Sequence, residues 1–516
     1  MRRSFLIACI LVSACCAFSQ QVETSRFELE CRTLSQGCHF ESFQDQGGMM
    51  VYETDKNDGE LGHLWNFITL DSSLYVLDCD SVYLPDRMTY FDARSSVQWS
   101  AFVFYDGKAS RNDSITLMVV SYNRQEQRFG TILDRLPERS TLQSIALIDG
   151  TLMLSVNNRS GNGSLVQYDL ASHRPRVVVP DVDNDFVLFQ LAGLPEEGVF
   201  VLAVREYVDR HYKATSFIVY SKDGNRLQSH RFENGEGVGL GRLCFAFDAQ
   251  RQLMVYATLE REGERKVDVE GVTEDFSKIA VGVTWIKFAV EGTRSKTYLF
   301  KNMPDIDRAL TSSDRLRVRE ELLRMQQGKT KEQGEIALQF LTPRLVQFGA
   351  YRIFAAEAFQ PVYHTEMRME YGYYGSYPIY YTVFDGYDFF SEILLAFDDE
   401  GDLKWQTSVR FENDYCERLF PHAAEAVCDD ELLVVSPSHN TLRYEVFDPN
   451  GKSLLSQHAT TLDFLYATDT FDEEYRSGIF QWYGNRFLVH GCQIVQNPLL
   501  RATRRAVYYL QKVQYE

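Results

Sequence analysis

Two stretches of the chain share one pattern, and this pattern decides the fold. Residues 394–405 read LLAFDDEGDLKW, and residues 444–455 read YEVFDPNGKSLL. In both, an alternating apolar run ends in Phe-Asp, a polar turn closes on Gly, and a second run follows. Alternation with a period of two is typical of half-buried strands. Asp or Asn beside Gly tolerates the positive φ that tight hairpins require, so the pattern predicts β-hairpins.

The pattern recurs at a nearly constant spacing. A third copy, residues 217–227, reads FIVYSKDGNRL, and weaker copies occupy residues 104–107, 165–170 and 288–292. Gly401 and Gly451 are 50 positions apart, and Asp169 and Asp223 are 54 apart. Four short strands with their turns occupy roughly 40–50 residues, the size of one β-propeller blade. The sequence therefore predicts an all-β fold, a single β-propeller of about seven four-stranded blades, with eight also compatible. A pair of β-sandwiches is the alternative, since it too contains many short strands.

The two ends of the chain predict how this ring closes. Residues 506–513 (AVYYLQKV) have the composition of a last strand, and residues 26–31 (RFELEC) have that of a first one. A final blade short of one strand would be completed by the N-terminal strand. Such closure leaves no unpaired edge.

Two segments interrupt the repeat within a domain that we place at residues 20–516. An apolar pattern with helical spacing follows Thr311 and predicts a short helical insertion at about residues 305–328. The second segment is an aromatic-rich hairpin at about residues 360–392, where 10 of the 20 residues in 371–390 are Tyr or Phe.

The N-terminus has the organisation of an export signal. Two arginines precede a short apolar run and small residues, which predicts a signal peptide at residues 1–19. An alternative is a lipoprotein box at residues 12–15 (VSAC), in which Cys15 would be lipidated. We therefore expect an extracytoplasmic protein, in the periplasm, on the outer membrane surface or secreted. No later stretch approaches the roughly 20 apolar residues of a transmembrane helix, so membrane contact is expected only through lipidation.

Charge and cysteine usage narrow the possible partners and ligands. The net charge is −19 with a pI near 5.1, which argues against nucleic acid as a partner. No zinc-ligand spacing occurs, and we expect neither a metal nor a cofactor. Cys31 with Cys38, and Cys416 with Cys428, are close enough in sequence for disulfides in an oxidising compartment. Buried free thiols are the alternative.

One blade motif supports the propeller prediction by resemblance. Residues 396–405 (AFDDEGDLKW) resemble the repeat of pyrroloquinoline-quinone-type propellers, a strand followed by Asp-x-x-Gly and then Trp. Two other copies match loosely, because Leu227 and Leu455 stand where a Trp is expected. The resemblance implies propeller topology but no quinone cofactor. The chain also resembles exported bacterial propellers, which implies no activity.

Sequence motifs for catalysis are weak throughout the chain. His364 and Glu366, near Glu357, would need a partner carboxylate for acid–base chemistry. The acidic runs at residues 181–185 and 469–474 indicate solvated turns, or alternatively calcium ligands. The glycine-rich residues 235–241 (GEGVGLG) indicate a loop between blades rather than a phosphate cradle.

The aromatic segment is the best candidate for binding, because half-exposed Tyr rings suit protein interfaces and sugar stacking. A hairpin whose rings pack on one another is the alternative. We expect a non-enzymatic scaffold of the cell envelope that binds a protein or a glycan, whereas a glycan-active enzyme with carboxylates at the central channel is the second hypothesis. The predicted binding residues of the aromatic segment are Tyr371, Tyr373, Tyr374, Tyr377, Tyr380 and Tyr381.

Overall fold

The computed structural model describes most of the chain between residues 25 and 515. The described residues are 25–31, 37–43, 47–59, 61–106, 114–138, 140–158, 161–209, 211–235, 237–262, 278–303, 309–310, 336, 338–341, 343–372, 375–417, 419–499 and 504–515. The predicted signal peptide, Cys15 and nearly all of the predicted helical insertion lie outside these residues.

Within them, the strands form eight antiparallel sheets, each of which is one propeller blade. Blades 1–4 consist of β2 (Cys38–Ser42), β3 (Gly48–Asp58), β4 (Gly62–Leu70) and β5 (Val76–Leu84); β6 (Met88–Ser95), β7 (Trp99–Asp106), β8 (Ser114–Asn123) and β9 (Arg128–Glu138); β10 (Ser140–Ile148), β11 (Thr151–Asn158), β12 (Gly161–Asp169) and β13 (Arg174–Val178); and β14 (Asp185–Leu194), β15 (Val199–Val208), β16 (His211–Ser221) and β17 (Arg226–Glu233).

The remaining blades follow the same plan, with one irregular first strand and one strand borrowed from the N-terminus. Blades 5–8 consist of β18 (Gly239–Phe247), β19 (Leu253–Glu262), β20 (Lys278–Ala289) and β21 (Gly292–Leu299); β22 (Gln339–Phe340) and β23 (Arg344–Phe348), β24 (Tyr351–Gly372), β25 (Gly375–Phe397) and β26 (Leu403–Cys416); β27 (Ala424–Cys428), β28 (Glu431–Ser438), β29 (Thr441–Phe447) and β30 (Ser453–Thr461); and β31 (Thr470–Tyr483), β32 (Arg486–Gln496), β33 (Arg504–Gln514) and β1 (Ser25–Cys31). A 3-10 turn, Phe300–Asn302, follows β21.

The strand sequences explain their places in each blade. The second strand β15 reads VFVLAVREYV and is buried over its first eight residues, because both of its faces pack against neighbouring blades. A continuous apolar run is the mark of such a strand. The fourth strand β17, RLQSHRFE, alternates between exposed and half-buried residues because one of its faces meets water.

The core is divided into clusters that join neighbouring blades. Each of eight clusters of buried side chains draws its members from two adjacent blades, from blades 1 and 2 around to blades 8 and 1. The first strands of successive blades also contact one another from β2 around to β31. The sheets therefore form one closed ring, and the alternative of paired sandwiches is excluded.

The N-terminal strand closes the ring, as predicted. β1 pairs antiparallel with β33 from Ser25–Lys512 to Cys31–Ala506. Arg476 of β31 donates to the carbonyl oxygen of Cys38 in blade 1 at 3.1 Å. The described sheets number eight, so the count of about seven was too low by one; it allowed too much of the chain for insertions.

The repeated sequence motif forms the turn between the third and fourth strands. The Gly401 and Gly451 amides each donate to the carbonyl three residues earlier, and both glycines have φ of 75°. A side chain on Gly451 would meet the Trp405 ring, since an added Cβ would lie 2.5 Å from it. Trp405 also donates to the Pro449 carbonyl at 2.9 Å, so the Trp of blade 6 binds the turn of blade 7.

The turns define two faces of the ring. In a four-stranded antiparallel blade, the first-to-second and third-to-fourth turns lie at one edge, which we call the lower face. The second-to-third turns and the connections between blades lie at the opposite edge, which we call the upper face. The aromatic hairpin β24–β25 connects second and third strands, so it projects from the upper face.

Candidate functional site

The aromatic hairpin is much longer than the blade that carries it. β24 has 22 residues and β25 has 23, whereas β26 stops supporting the hairpin at the Tyr387–Cys416 pair. Beyond that pair the hairpin is a two-stranded ribbon, which we define as residues 361–372 and 375–386. At about 3.3 Å per residue, residues 363–372 alone reach roughly 33 Å from the blade.

A cluster of aromatic rings holds the base of this ribbon. The Phe384 ring lies 5.0 Å from that of Tyr387 and 5.7 Å from that of Tyr363, centroid to centroid, both edge-on. The Tyr387 ring meets Phe359 at 5.5 Å in the same manner. These pairs connect the ribbon to the buried part of blade 6, where Phe359 and Phe389 belong to the core.

The strand register gives the ribbon two chemically different faces. Residues directly opposite one another in an antiparallel pair share a face. Met367 pairs with Tyr380 and Met369 pairs with Pro378, and this face carries no charged side chain. We call it the uncharged face; its members are Tyr363, Thr365, Met367, Met369, Pro378, Tyr380, Thr382 and Phe384.

The uncharged face is open to solvent although it is apolar. The exposed fractions are 56% for Met367, 47% for Met369 and 68% for Tyr380. Exposed apolar side chains that adjoin one another mark interaction sites more often than singly scattered ones do.

Charged side chains occupy the opposite face of the ribbon. Arg368 lies 3.0 Å from Glu366, and the Tyr381 hydroxyl donates to Glu370 at 2.7 Å. His364 contacts Asp385 at 2.5 Å, and this hydrogen bond raises the pKa of the imidazole above its usual value. Asp385 and, at 3.5 Å, Glu366 are thus the carboxylates beside His364, whereas Glu357 lies in the buried core of the blade.

The structure separates the tyrosines that the sequence grouped together. Tyr380 lies on the uncharged face, whereas Tyr377, 49% exposed, and the half-buried Tyr381 lie on the charged face. The side chain of Tyr371, and all of Tyr373 and Tyr374, lie outside the described residues. Met367 and Met369 were not among the predicted binding residues, although alternation along residues 363–369 could have placed them beside Tyr380.

A second cluster consists of three buried glutamates around one arginine, between blades 6 and 7. The Arg344 guanidinium donates to Glu357 at 2.6 Å, to Glu392 at 2.8 Å and to Glu425 at 2.5 Å. The glutamate side chains are at most 2% exposed. The backbone N–H of His422 donates to the second oxygen of Glu357 at 2.7 Å.

The glutamates of this cluster titrate differently. Burial and the neighbouring Glu425 raise the pKa of Glu392 well above its usual value, and burial also raises that of Glu357. Burial opposes the ionised form of Glu425 as well, but the Arg344 charge and the hydrogen bonds from Glu392 and Arg344 together outweigh burial and lower the pKa. Arg344 therefore favours the ionised form of Glu425, whereas burial favours the protonated forms of Glu357 and Glu392.

This arrangement joins blades rather than presenting a reactive carboxylate. A glycan-active enzyme places two carboxyl groups about 5–9.5 Å apart on either side of its substrate. Here the buried carboxylates converge on a single guanidinium. The adjacent His422 ring stacks between Phe389 and Phe420, with centroids 4.0 and 4.5 Å away, and burial lowers its pKa to about 4.

The acidic runs predicted as solvated turns or calcium ligands contact arginine side chains in the structure. Asp181 lies 2.9 Å from Arg226, and Asp472 lies 2.6 Å from Arg504. Asp469 is buried against Arg505 and Asn497. In the described part of the chain, no three His, Cys, Asp or Glu side chains are grouped as metal ligands would be.

The four cysteines of the two predicted disulfides have free thiols in this structure, and both pairings stay predictions. Cys31 and Cys38 are free thiols joined by a hydrogen bond, which lowers the pKa of Cys31 to about 7. Cys416 and Cys428 are also free thiols; they belong to strands β26 and β27, in different blades.

Among the described residues, no helix has the length and hydropathy needed to cross a bilayer. No protein-family model matches the chain, and no curated protein sequence matches it.

Several solved structures resemble the chain at low similarity. A prolyl endopeptidase matches at 11% identity and a TM-score of 0.39, over 91% of this chain and 54% of its own. The β-propeller domain of the Trilobed protease from Pyrococcus furiosus matches at 9% identity and a TM-score of 0.35, over 84% and 99%. Apocarotenoid oxygenase from Synechocystis matches at 9% identity and 0.30, over 45% and 59%. The chain thus spans about half the length of the endopeptidase, and its assignment as an all-β propeller rests on its own strand pairing.

Proposed function

We propose that this chain is an exported, non-enzymatic propeller that binds a protein of the cell envelope through the uncharged face of the ribbon. The observation that carries the proposal is the uncharged face itself. It is a projecting surface of Met, Tyr, Pro and Thr on which Met367 and Tyr380 are largely exposed. An isolated two-stranded ribbon is only marginally stable in water, so covering this face would stabilise it.

The chemistry of the face favours a protein over a glycan as the partner. Met and Tyr are enriched at protein interfaces, where charged residues are depleted from the centre. A glycan site needs polar groups beside its aromatic platform to bind hydroxyls. Around Tyr380 the uncharged face offers two thioethers and a proline, and the short hydroxyl side chains of Thr365 and Thr382 are its polar groups there.

The rest of the molecule suits the role of a rigid support. Eight blades packed through eight shared core clusters hold the base of the ribbon in place. Export rests on the leader at residues 1–19, and the lipid anchor at Cys15 is the alternative route to the envelope. Either route would bring the ribbon to partners outside the cytoplasm.

Site-specific crosslinking tests the proposal. A photo-crosslinking amino acid is placed at Met367 in one variant and at Tyr377, on the charged face, in its matched control. Each full-length variant is expressed in the source cells. We expect a specific crosslinked envelope protein from position 367 and a much weaker product from position 377.

Three results would overturn the proposal. Equal crosslinking from both positions would show that the uncharged face is not selective. A crosslink to a second copy of this chain, with a dimer in solution that Tyr380→Ser abolishes, would make the ribbon a self-association device. Binding of purified chain to an envelope glycan, lost in Tyr380→Ser, would replace the protein partner with a glycan.

A further inference from the structure

A cavity of about 930 Å³ opens between blades 4 and 5, away from the ribbon. It lies where the β15–β16 hairpin, the connection from β17 to β18 and the end of β19 meet, which places it at the upper face. The glycine-rich residues 235–241 begin in this connection between two blades, as predicted from the sequence, and continue into β18 from Gly239. Cavities of 300–1,000 Å³ are typical of small-molecule sites.

A buried arginine lines this cavity and has unused hydrogen-bonding capacity. Arg205 is 8% exposed, and its guanidinium stacks 3.5 Å from the centre of the Phe189 ring. One terminal nitrogen donates to the Leu240 carbonyl at 2.9 Å and lies 3.9 Å from Glu260. The Arg205 Nε is buried without a hydrogen-bond partner. Such a donor is costly unless an acceptor binds nearby.

A second polar side chain in the cavity is also unsatisfied. Asn234 lines the cavity, and both its amide nitrogen and its amide oxygen are buried without a partner. Its backbone N–H donates to the Lys213 carbonyl at 3.0 Å, which fixes the connection against β16. The Asn234 amide therefore has one donor group and one acceptor to offer a ligand.

Two glycines at the start of β18 shape the wall of the cavity. A Cβ on Gly239 would lie 2.3 Å from the Tyr212 ring, and one on Gly241 would lie 1.9 Å from a Glu260 oxygen. Only glycine at these positions lets Tyr212 and Glu260 lie against the backbone. This packing is the physical reason for the glycine-rich sequence.

The lining is basic although the chain is strongly acidic. Arg205, Lys213, Arg261 and His211 line the cavity, and Glu260 is the acidic side chain among the described lining residues. The net charge of the whole chain is −19. A local excess of cations in such a chain favours a small anion.

Two aromatic rings complete the lining. Tyr207 and Tyr212 lie with ring centroids 5.8 Å apart and their planes tilted by 36°. Tyrosine rings supply flat apolar surface against which the carbon face of a sugar packs. Cations, an unsatisfied amide and aromatic rings together fit a ligand that carries a carboxylate, hydroxyls and a ring.

We propose that the cavity between blades 4 and 5 binds an acidic sugar, whose carboxylate is held by Arg205 and Lys213 and whose hydroxyls are held by Asn234. The site is separate from the ribbon, and it does not depend on the protein partner proposed above. The same carboxylated sugar could arrive free or as part of a polysaccharide.

Calorimetric titration of the purified full chain tests this proposal. Galacturonate and its linear trimer are the probes, with galactose to remove the carboxylate and inorganic phosphate to remove the sugar. We expect saturable binding of the uronates, at least tenfold weaker binding of galactose and phosphate, and weakening at high salt. Tighter binding of the trimer than of the monomer would identify a polysaccharide as the source of the ligand. Equal affinity for the two would identify a free sugar acid.

Matched lysine variants connect binding to this cavity. Lys213 is exposed at the cavity, so Lys213→Gln leaves the core intact, and we expect it to weaken uronate binding at least fivefold. Lys222 is 57% exposed in a turn of the lower face, and Lys222→Gln should bind as the wild type does. Arg205→Gln, checked for folding, should abolish binding.

Absence of uronate binding would overturn the proposal, and so would binding that Lys213→Gln does not change. Phosphate binding as tight as uronate binding would overturn the sugar assignment. The crosslinking result at Met367 is independent of each of these outcomes.

Discussion

At the scale of single residues, the Arg344 cluster shows what sequence reasoning could not reach. Glu357 was visible only as a neighbour of His364, and nothing in the sequence indicates that Glu392 and Glu425 converge on Arg344. They meet because the strands of blades 6 and 7 stand side by side. Their shifted pKa values follow from burial, which is a property of the assembled ring.

The cluster makes stability depend on pH through Glu392. In the folded chain its pKa is raised well above the value of about 4.3 that it has when unfolded, so the folded state binds the extra proton. Stability is then full below pH 4 and falls as pH rises toward the folded pKa, by up to about 1.4 kcal/mol per pH unit. Glu392→Gln keeps a neutral side chain of the same shape. We expect this variant to show a shallower decline than the wild type in urea unfolding from pH 5 to 9, because Glu357, whose pKa is also raised, still contributes.

Two further variants separate this effect from general destabilisation. Glu233, 78% exposed on the outer strand β17, gives Glu233→Gln as the control, whose stability curve should run parallel to that of the wild type. Glu425→Gln should cost about 3 kcal/mol between pH 5 and 9, because it removes the ionised and fully buried partner of the half-buried Arg344. A Glu392→Gln curve parallel to that of the wild type would contradict the assignment of the proton.

At the scale of elements, the sequence predicted where turns occur better than it predicted which strands of a blade each turn joins. The copies at residues 217–227, 394–405 and 444–455 all form third-to-fourth turns. The weak copy at residues 104–107 is out of phase, since Asp106 ends the second strand of blade 2. Local propensity predicts a hairpin but not its position in the blade. The ribbon was predicted from its aromatic content. Assigning side chains to its two faces required the pairing register of β24 and β25.

The Trp405–Gly451 contact gives a prediction for the repeated turn. Gly451→Ala places a side chain at φ of 75° and within 2.5 Å of the Trp405 ring. The positive φ costs about 1–2 kcal/mol and the overlap about 1–3 more. Gly484→Ala is the matched control, because Gly484 has φ of 56° with nothing within 4 Å of an added Cβ. Thermal unfolding should show a larger loss of stability for Gly451→Ala than for Gly484→Ala. Equal losses would show that the Trp405–Gly451 contact does not help to join the blades.

At the scale of the whole molecule, the sequence predicted the fold and its closure but undercounted the blades. Residues 26–31 were identified as the strand that completes the last blade, and β1 does pair with β33. The count depended on how much of the chain belongs to insertions, which spacing alone does not define. The cavity between blades 4 and 5 was also beyond the sequence, because its lining comes from five strands or connections that only the ring brings together.

Closure by β1 can be tested by moving the strand. Ser25 pairs with Lys512, so β1 starts beside the end of β33 and can follow it through a loop of about four residues. A chain that begins at residue 37 lacks β1, and we expect it to lose on the order of 3 kcal/mol. That loss reflects the partly buried Phe27 and Leu29 and the interactions of Arg26. Appending a linker of about four residues and then residues 25–31 after residue 515 in the same chain should restore most of the stability.

The rearranged chain is informative because it changes connectivity without changing contacts. If β1 acts only by pairing with β33, the strand stabilises the ring equally well from either end of the chain, and thermal unfolding should show one transition near that of the wild type. Appending the same seven residues with Phe27 and Leu29 replaced by Ser controls for the added length and should restore little. A truncated chain as stable as the wild type would mean that the eight shared core clusters hold the ring closed without β1.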